Sequence, residues 1–394
     1  MPTPADFKSI DFLREHIQTT LQFYHPRCID PAGGFFHFFK DNGDVYDTNT
    51  RHLVSSTRFI FNYAKAYQTQ GNADYLSAAR HGLTYLRERH RRENGGYVWL
   101  LTQDQNLDET NHCYGFAFVL LAYATAYQAG VAEAKPWIKE TFDTMEQYFW
   151  DEEFGLYKDE ISHDWQTISP YRGQNANMHS CEALLAAYDA TGHTTYLERA
   201  TQLAQNICIR QAKLAGGEVW EHYTVDWQVD WEYNKADPKH LFRPWGFQPG
   251  HQTEWAKLLL LIHQRAPQEW LLPTAKHLFD QAWQKAWDNK HGGLCYGYDL
   301  KGQVCDGDKY FWVQAESFAA AAMLAVLTED NQYWEKYQQL WHYSWSHMID
   351  HQYGAWFRLL SQDNHPFDDC KSPAGKTDYH TMGACYDVIT QLSH

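Results

Sequence analysis

The stretch GQNANMHSCEALLAAYDATG, residues 173–192, places Asn175, His179 and Glu182 at i, i+4 and i+7. On a helix these three side chains share one face. Other stretches carry similar groups. HQTEW sets His251 and Glu254 at i, i+3, WVQAE sets Trp312 and Glu316 at i, i+4, and DYH supplies His380. RHLVSSTR puts Arg51, Ser55 and Arg58 on one face, and NHCYGFAF contributes Tyr114 and Phe118. The chemistry open to such a set is proton transfer. Imidazole titrates near neutral pH, a carboxylate can orient it, and a guanidinium can hold a developing negative charge. HQTEW is not HExxH, so the remaining metal reading is a three-His site drawn from different helices. No GxGxxG follows a strand, and neither a P-loop nor GxSxG is present.

These residues recur in a larger pattern. Six segments set a glycine beside a polar turn, followed by aromatic-rich extended residues. Their glycines are Gly34, Gly96, Gly155, Gly217, Gly293 and Gly354, at steps of 62, 59, 62, 76 and 61 residues. Self-similarity at a near-constant period marks a repeat architecture. Each segment reads as a hairpin. A very apolar helix is expected after each, over 51–68, 112–128, 175–190, 251–264, 312–327 and 380–391. A charged, amphipathic helix is expected before each, over 7–24, 73–91, 135–149, 194–213, 268–287 and 331–348. A helix apolar nearly all round must be covered on all sides. Six apolar helices inside six amphipathic ones satisfy this: an all-α (α/α)6 barrel with its hairpins at one end. Residues 1–394 read as one domain. The longer fourth repeat, rich in Trp, is expected to cap one mouth with residues 218–249.

The polar groups singled out above all lie in the first turns of the apolar helices. Polar first turns also serve as caps, and Asn175 could be no more than the N-cap of its helix. Three His, two Glu and an Arg at equivalent helix ends are hard to explain as six caps. If the inner helices run in one direction, these ends converge on a single pocket.

The bulk numbers narrow the ligand. With 33 Lys and Arg against 49 Asp and Glu, the net charge is −16. That balance, with no basic run, argues against nucleic acid. The N-terminal MPTPADFKSIDFLREH has no apolar h-region, and the longest apolar runs fall short of a membrane span. The 8 Cys form no CxxC pair, so reduced thiols and a cytoplasmic location are expected. Homo-oligomerisation stays open.

A polar pocket with aromatic walls suits a sugar. Rings stack on the C–H face of a pyranose while Arg, Asn and Glu bind hydroxyls. Two imidazoles suit a reaction that open-chain sugars offer. The C2 proton of an aldose is acidic because it lies beside the carbonyl. Its removal gives an enediolate, and reprotonation yields a ketose or the 2-epimer.

On the motifs TNTRHLVSSTRFIFNYA, GQNANMHSCEALLAAYDATG, PGHQTEWAKLL, WVQAESFAA and DYHTMGACYDV, essentially the whole chain resembles the N-acylglucosamine 2-epimerase superfamily of (α/α)6 barrels. Its overall form is most like the branch of aldose–ketose isomerases acting on D-mannose. The resemblance implies interconversion of D-mannose and D-fructose, with D-lyxose and D-xylulose as a second pair, and neither a metal nor any other cofactor. His380 would be the base that moves the proton from C2 to C1, and His251 the second acid/base. Glu254 would orient His251 or bind hydroxyls, and Arg58 would hold O1 or O2. Asn175, His179 and Glu316 would bind hydroxyls, with Tyr114 and Trp312 as walls. Arg51, by contrast, would form a structural ion pair. The nearest rival is a 2-epimerase on D-glucose and D-mannose, or on a disaccharide such as cellobiose. More distant rivals are a glycoside hydrolase using Glu254 and Glu316, and a non-catalytic sugar-binding protein.

Overall fold

A computed structural model describes residues 6–240 and 243–393. The helices in chain order are α1 (Ile10–Tyr24), α2 (Leu53–Gln70), α3 (Ala73–Tyr85), α4 (Cys113–Gln128), α5 (Ala134–Thr144), α6 (Gln174–Thr191), α7 (Thr194–Gln205), the single turn α8 (Ala212–Leu214), α9 (Pro249–Arg265), α10 (Leu271–Ala286), α11 (Phe311–Thr328), α12 (Asn331–Tyr343) and α13 (Tyr379–Leu392). Helices α2, α4, α6, α9, α11 and α13 form an inner ring that closes from α13 back to α2. Helices α1, α3, α5, α7, α10 and α12 lie outside it, each packed on an inner helix. The ring is an (α/α)6 barrel. Helix α11 is long and apolar enough to cross a membrane by composition, but 78% of it is buried among its neighbours.

The hairpin end is tied together by a repeated bonding scheme. The short strand entering each inner helix pairs antiparallel with the hairpin of the following repeat. Arg51–His52 pairs with Leu100–Leu101, Asn111–His112 with Glu160–Ile161, Arg172–Gly173 with His222–Tyr223, and Lys309–Tyr310 with Leu359–Leu360. Phe247 bridges Tyr298 at the fourth step, and Cys370–Ser372 returns to Phe38–Lys40. The circle is therefore closed by backbone hydrogen bonds as well as by helix packing.

Side chains fasten five of the hairpins. On the inner side, the amides of Asn177, Gln252 and Gln314 each bond both backbone groups of one hairpin residue: Tyr157, Val219 and Leu294. Buried cations do similar work. Arg51 pairs with Asp30 at 2.5 Å, Lys309 with Asp288 at 2.9 Å and Lys371 with Asp350 at 2.5 Å, at equivalent points of three repeats. Arg51 is thus structural. Two of the repeat glycines are explained by close approach. A Cβ on Gly34 would meet Tyr85 at 2.8 Å, and one on Gly293 would meet Tyr343 at 2.5 Å; both glycines have positive φ.

The outer helices differ from the expected continuous α-helices. Four of them widen into π turns, Leu86–His90, Met145–Phe149, Asn206–Gln211 and Ser344–Met348. Three of these turns end on a residue whose carbonyl accepts from the hairpin: His90 from Val98, Phe149 from Lys158 and Met348 from Phe357. The wider turn re-aims that carbonyl, a need that hydrophobic periodicity does not record.

In the fourth repeat, residues 218–223 form the hairpin portion, and the extra chain follows them. Trp220 packs against Trp231, Trp245 and Phe247 with ring centroids 4.8, 6.0 and 4.9 Å away. Its indole N–H donates to the Asp230 carbonyl, and that of Trp245 to the Trp231 carbonyl. Residues 241 and 242 of the expected cap lie outside the described residues.

Several histidines belong to this scaffold. Burial holds the ring of His16 down at about 4, and its Nε2 accepts from the indole of Trp356 at 2.8 Å. The unfolded chain protonates this ring near 6.5, so its contribution to stability is lost as pH falls below that value. His16→Gln keeps an acceptor but cannot titrate. The stability gap between wild type and His16→Gln is expected to shrink by about 2 kcal/mol from pH 7 to pH 5. Urea unfolding at both pH values measures it, and a gap independent of pH would contradict a buried neutral His16.

Candidate active site

The first turns of the inner helices meet at the hairpin end around a cavity of about 500 Å³, a size suited to a small molecule. Arg58 (α2), Tyr114 (α4), Asn175 and His179 (α6), His251 and Glu254 (α9), Trp312 (α11) and His380 (α13) all line it. Glu316 does not. It lies behind His380, so its carboxylate cannot serve as the hydroxyl ligand expected from the sequence. The roof comes from the long fourth repeat through Tyr233, Asn234, Arg243 and Pro244. Arg243 stacks on Tyr171 at 3.8 Å and pairs with Glu160, which anchors the roof to the preceding repeat.

Each of the three site imidazoles turns Nδ1 to a carboxylate. His380 meets Glu316 at 2.7 Å, His251 meets Glu221 at 2.9 Å and His179 meets Glu182 at 3.0 Å. An Nδ1–H donating to a carboxylate fixes the tautomer and leaves the lone pair on Nε2.

His380 is the most constrained of the three. Arg58 Nη2 lies 3.3 Å from its Nε2. A guanidinium can only donate, so Nε2 must be the acceptor and Nδ1 must carry the proton. Burial, the charge of Arg58 and the neighbouring His179 push this ring well below the usual imidazole range. It is a neutral base at pH 7. Arg58 is held across from it. Its guanidinium lies 4.3 Å from the Phe118 ring and 4.8 Å from that of Tyr379, and it bonds the Tyr114 hydroxyl at 3.1 Å and the Gly375 carbonyl.

His251 is oriented by Glu221 and not by Glu254. Glu221 also accepts from the Gln174 amide at 2.9 Å, and Gln174 in turn accepts from the Trp255 indole at 2.7 Å. Trp312 packs on His251 with centroids 4.9 Å apart and on His380 at 5.8 Å, so one indole touches both imidazoles. Sequence reasoning missed Glu221 because it comes from the hairpin and not from an inner helix. The available signal was a Glu inside an aromatic run, a residue rarely buried unless partnered.

Glu254 has a different environment. Its Oε1 is 3.9 Å from His179 Nδ1, and its Oε2 is buried without a protein partner. Burial and the negative charge of Glu316 push it well above the usual carboxylate range. Asn175 is the second residue of α6, whose N-cap is Gly173, so it is not the cap. Its buried Oδ1 has no protein partner. His179 packs edge-on to Tyr114 at 5.0 Å. Glu182 sits below it and also accepts from the Tyr379 hydroxyl. Burial would raise Glu182, but His179, the ammonium of Lys257 and the bond from Tyr379 together outweigh this and hold it at about 2.

Comparison with known proteins shows what the whole chain resembles. The sequence profile of the family described as N-acylglucosamine 2-epimerase (GlcNAc 2-epimerase) matches residues 34–384. The chain is 64% identical over 394 residues to a D-mannose isomerase of Marinomonas mediterranea, covering all of both chains. It superposes on a crystal structure of a D-mannose isomerase with a TM-score of 0.98 and 63% identity, covering 98% of this chain and 100% of that one. More distantly, it is 22% identical to a cellobiose 2-epimerase of Bacteroides fragilis, over 94% of this chain and 95% of that one.

Nitrogen-15 NMR of the imidazoles tests the assignment of His380. At pH 7 its signals are expected to report a neutral ring with the proton on Nδ1, unchanged as the pH is lowered through 6.5. A His380 ring that titrates near 6.5, or that carries its proton on Nε2, would refute it.

Proposed function

The chain belongs to the N-acylglucosamine 2-epimerase family, and on that premise we propose that it is an aldose–ketose isomerase interconverting D-mannose and D-fructose. The observation that carries this reading is the neutral His380, its Nε2 lone pair 3.3 Å from the guanidinium of Arg58. Base and anion holder thus stand side by side at one point of the cavity wall.

His251 first assists ring opening. It takes the proton of the anomeric hydroxyl and gives one to the ring oxygen. His380 Nε2 then removes the proton on C2. The electron pair enters the C1–C2 bond and charge develops on O1, which Arg58 holds. O1 takes a proton through His251, and O2 gives one back to it. His380 returns its own proton to C1. C1 becomes CH2OH and C2 the ketone, with no net change in protons or electrons. Because one base serves both carbons, it works on one face of the enediol. Epimerisation would need a second base on the opposite face of C2. Glu254, with Asn175 and His179, binds hydroxyls further along the chain, and Trp312 and Tyr114 wall the cavity. D-Lyxose and D-xylulose share the reacting atoms and form the second substrate pair. Cationic groups of the protein, not a metal, supply the positive charge.

D-Mannose incubated with the protein is expected to yield D-fructose, and a chelator is expected to leave the rate unchanged. D-Mannose deuterated at C2 should deliver part of its label to C1 of the fructose, since a buried base exchanges slowly. His380→Asn should lower kcat/KM by about 10²–10⁴-fold. Formation of D-glucose as the main product would instead favour the 2-epimerase, and loss of activity with EDTA that a divalent ion restores would exclude the metal-free route.

A further inference from the structure

The carboxylate behind His380 has a second partner that does not reach the cavity. Lys257, on α9 one turn beyond Glu254, is 3% exposed. Its Nζ lies 2.6 Å from Glu316 Oε2 and 3.3 Å from Asp387 Oδ2. A row thus runs from the part-exposed Asp387 through the buried Lys257 and Glu316 to His380. We infer that Lys257 is the positioning residue that makes His380 a base, by keeping Glu316 ionised; the inference rests on the isomerase reading above.

The groups around this row explain why a cation is needed. Glu254 on α9, Glu182 on α6, Asp387 on α13 and Glu316 on α11 all crowd one end of the site. The other titratable neighbours are Arg58 on α2, Tyr114 on α4, His179 on α6, and Tyr379 and His380 on α13. Lys65 on α2 faces Asp387 from beyond. Burial leaves Glu316 above the ordinary carboxylate range, and the ammonium of Lys257 is the main effect that holds it down. Burial lowers Lys257, but Glu316 and Asp387 outweigh it and carry it well above the ordinary lysine range, so the cation is permanent.

The state of Glu316 decides what His380 can do. An ionised Glu316 accepts from Nδ1–H and leaves the lone pair of Nε2 facing the substrate. A protonated Glu316 would donate its O–H to Nδ1. The ring proton would then sit on Nε2, where a base cannot carry it. His251 is arranged differently. Among the described residues, the ion pair of its partner Glu221 is with His251 itself, and no lysine stands behind it. The two imidazoles are thereby set apart, one held neutral as the base and the other free to gain and lose protons among the oxygens.

The test compares Lys257→Met, Lys257→Arg, Glu316→Gln and the double variant Lys257→Met/Glu316→Gln with wild type. Lys257→Gln is a second neutral variant should the Met form fail to fold. The neutral variant is expected to lose about a hundredfold or more in kcat, as a misplaced tautomer does, with little change in KM for D-mannose. The acid limb of its remaining activity should move to higher pH, because Glu316 must then ionise unaided. Lys257→Arg should keep most of the activity. The double variant should be no slower than Glu316→Gln alone, since both act through one group. Nitrogen-15 NMR of the neutral variant should show the His380 proton on Nε2. A folded neutral variant with wild-type kcat and pH profile, or losses that add in the double variant, would overturn the inference. If wild type itself converts no D-mannose, the functional reading fails instead, and the NMR tautomer still decides the role of Lys257.

Discussion

The structure follows from one constraint: an inner helix covered on every side can present polar groups only at its end. Within α11 and α4 almost every side chain is buried against other helices, so a charge placed mid-helix needs a partner there, as Lys257 has in Glu316. The first two turns alone open onto the cavity. Six helices running in one direction bring six such ends to the same mouth. The site is therefore a consequence of the barrel and not an addition to it. The hairpins fix how wide that mouth is. They are held by the outer helix before each, by an amide or cation beside five of them and by the strand of the previous repeat, which leaves little freedom in the separation of the helix ends.

Within this frame, chemistry depends on breaking the sixfold similarity. Three imidazoles share one arrangement, with Nδ1 on a carboxylate, yet their surroundings differ. His380 has Arg58 before it and a lysine-backed Glu316 behind it. His251 has Glu221 alone, bound to the Gln174 amide. His179 has a strongly acidic Glu182 and packs among Tyr114 and Phe118. On the proposed reading, the same side chain near three inner-helix ends serves as a base, a proton carrier and a hydroxyl ligand. Differences in burial and in the sign of nearby charge are sufficient to produce that division.

Much of this was legible in the chain. The period of the glycines and the alternation of apolar and amphipathic helices fixed twelve helices and their nesting, and the helix ranges agree with the sequence reading to within a few residues. The inner-helix residues facing the cavity were legible too, Glu316 excepted, because position near the start of an apolar helix is a one-dimensional property. What escaped was everything that depends on contact between distant segments. Glu221 lies in a hairpin 30 residues before the imidazole it orients. Trp312 and Glu316 stand on one helix at i, i+4, yet Trp312 lines the cavity while Glu316 meets His380 Nδ1. Lys257 looked like an ordinary helical lysine. The π turns arise from hairpin bonding that leaves hydrophobic spacing unchanged.

The central claim is that an open-chain sugar lies with C2 against His380 Nε2 and its first two oxygens toward Arg58. A crystal structure with D-mannitol, a linear analogue whose two ends are equivalent, tests it most directly. The account predicts mannitol extended in the cavity, with C2 within about 3.5 Å of His380 Nε2 and an adjacent hydroxyl bonded to Arg58. Mannitol bound with no carbon near His380, or seated outside the ring of first turns, would contradict it.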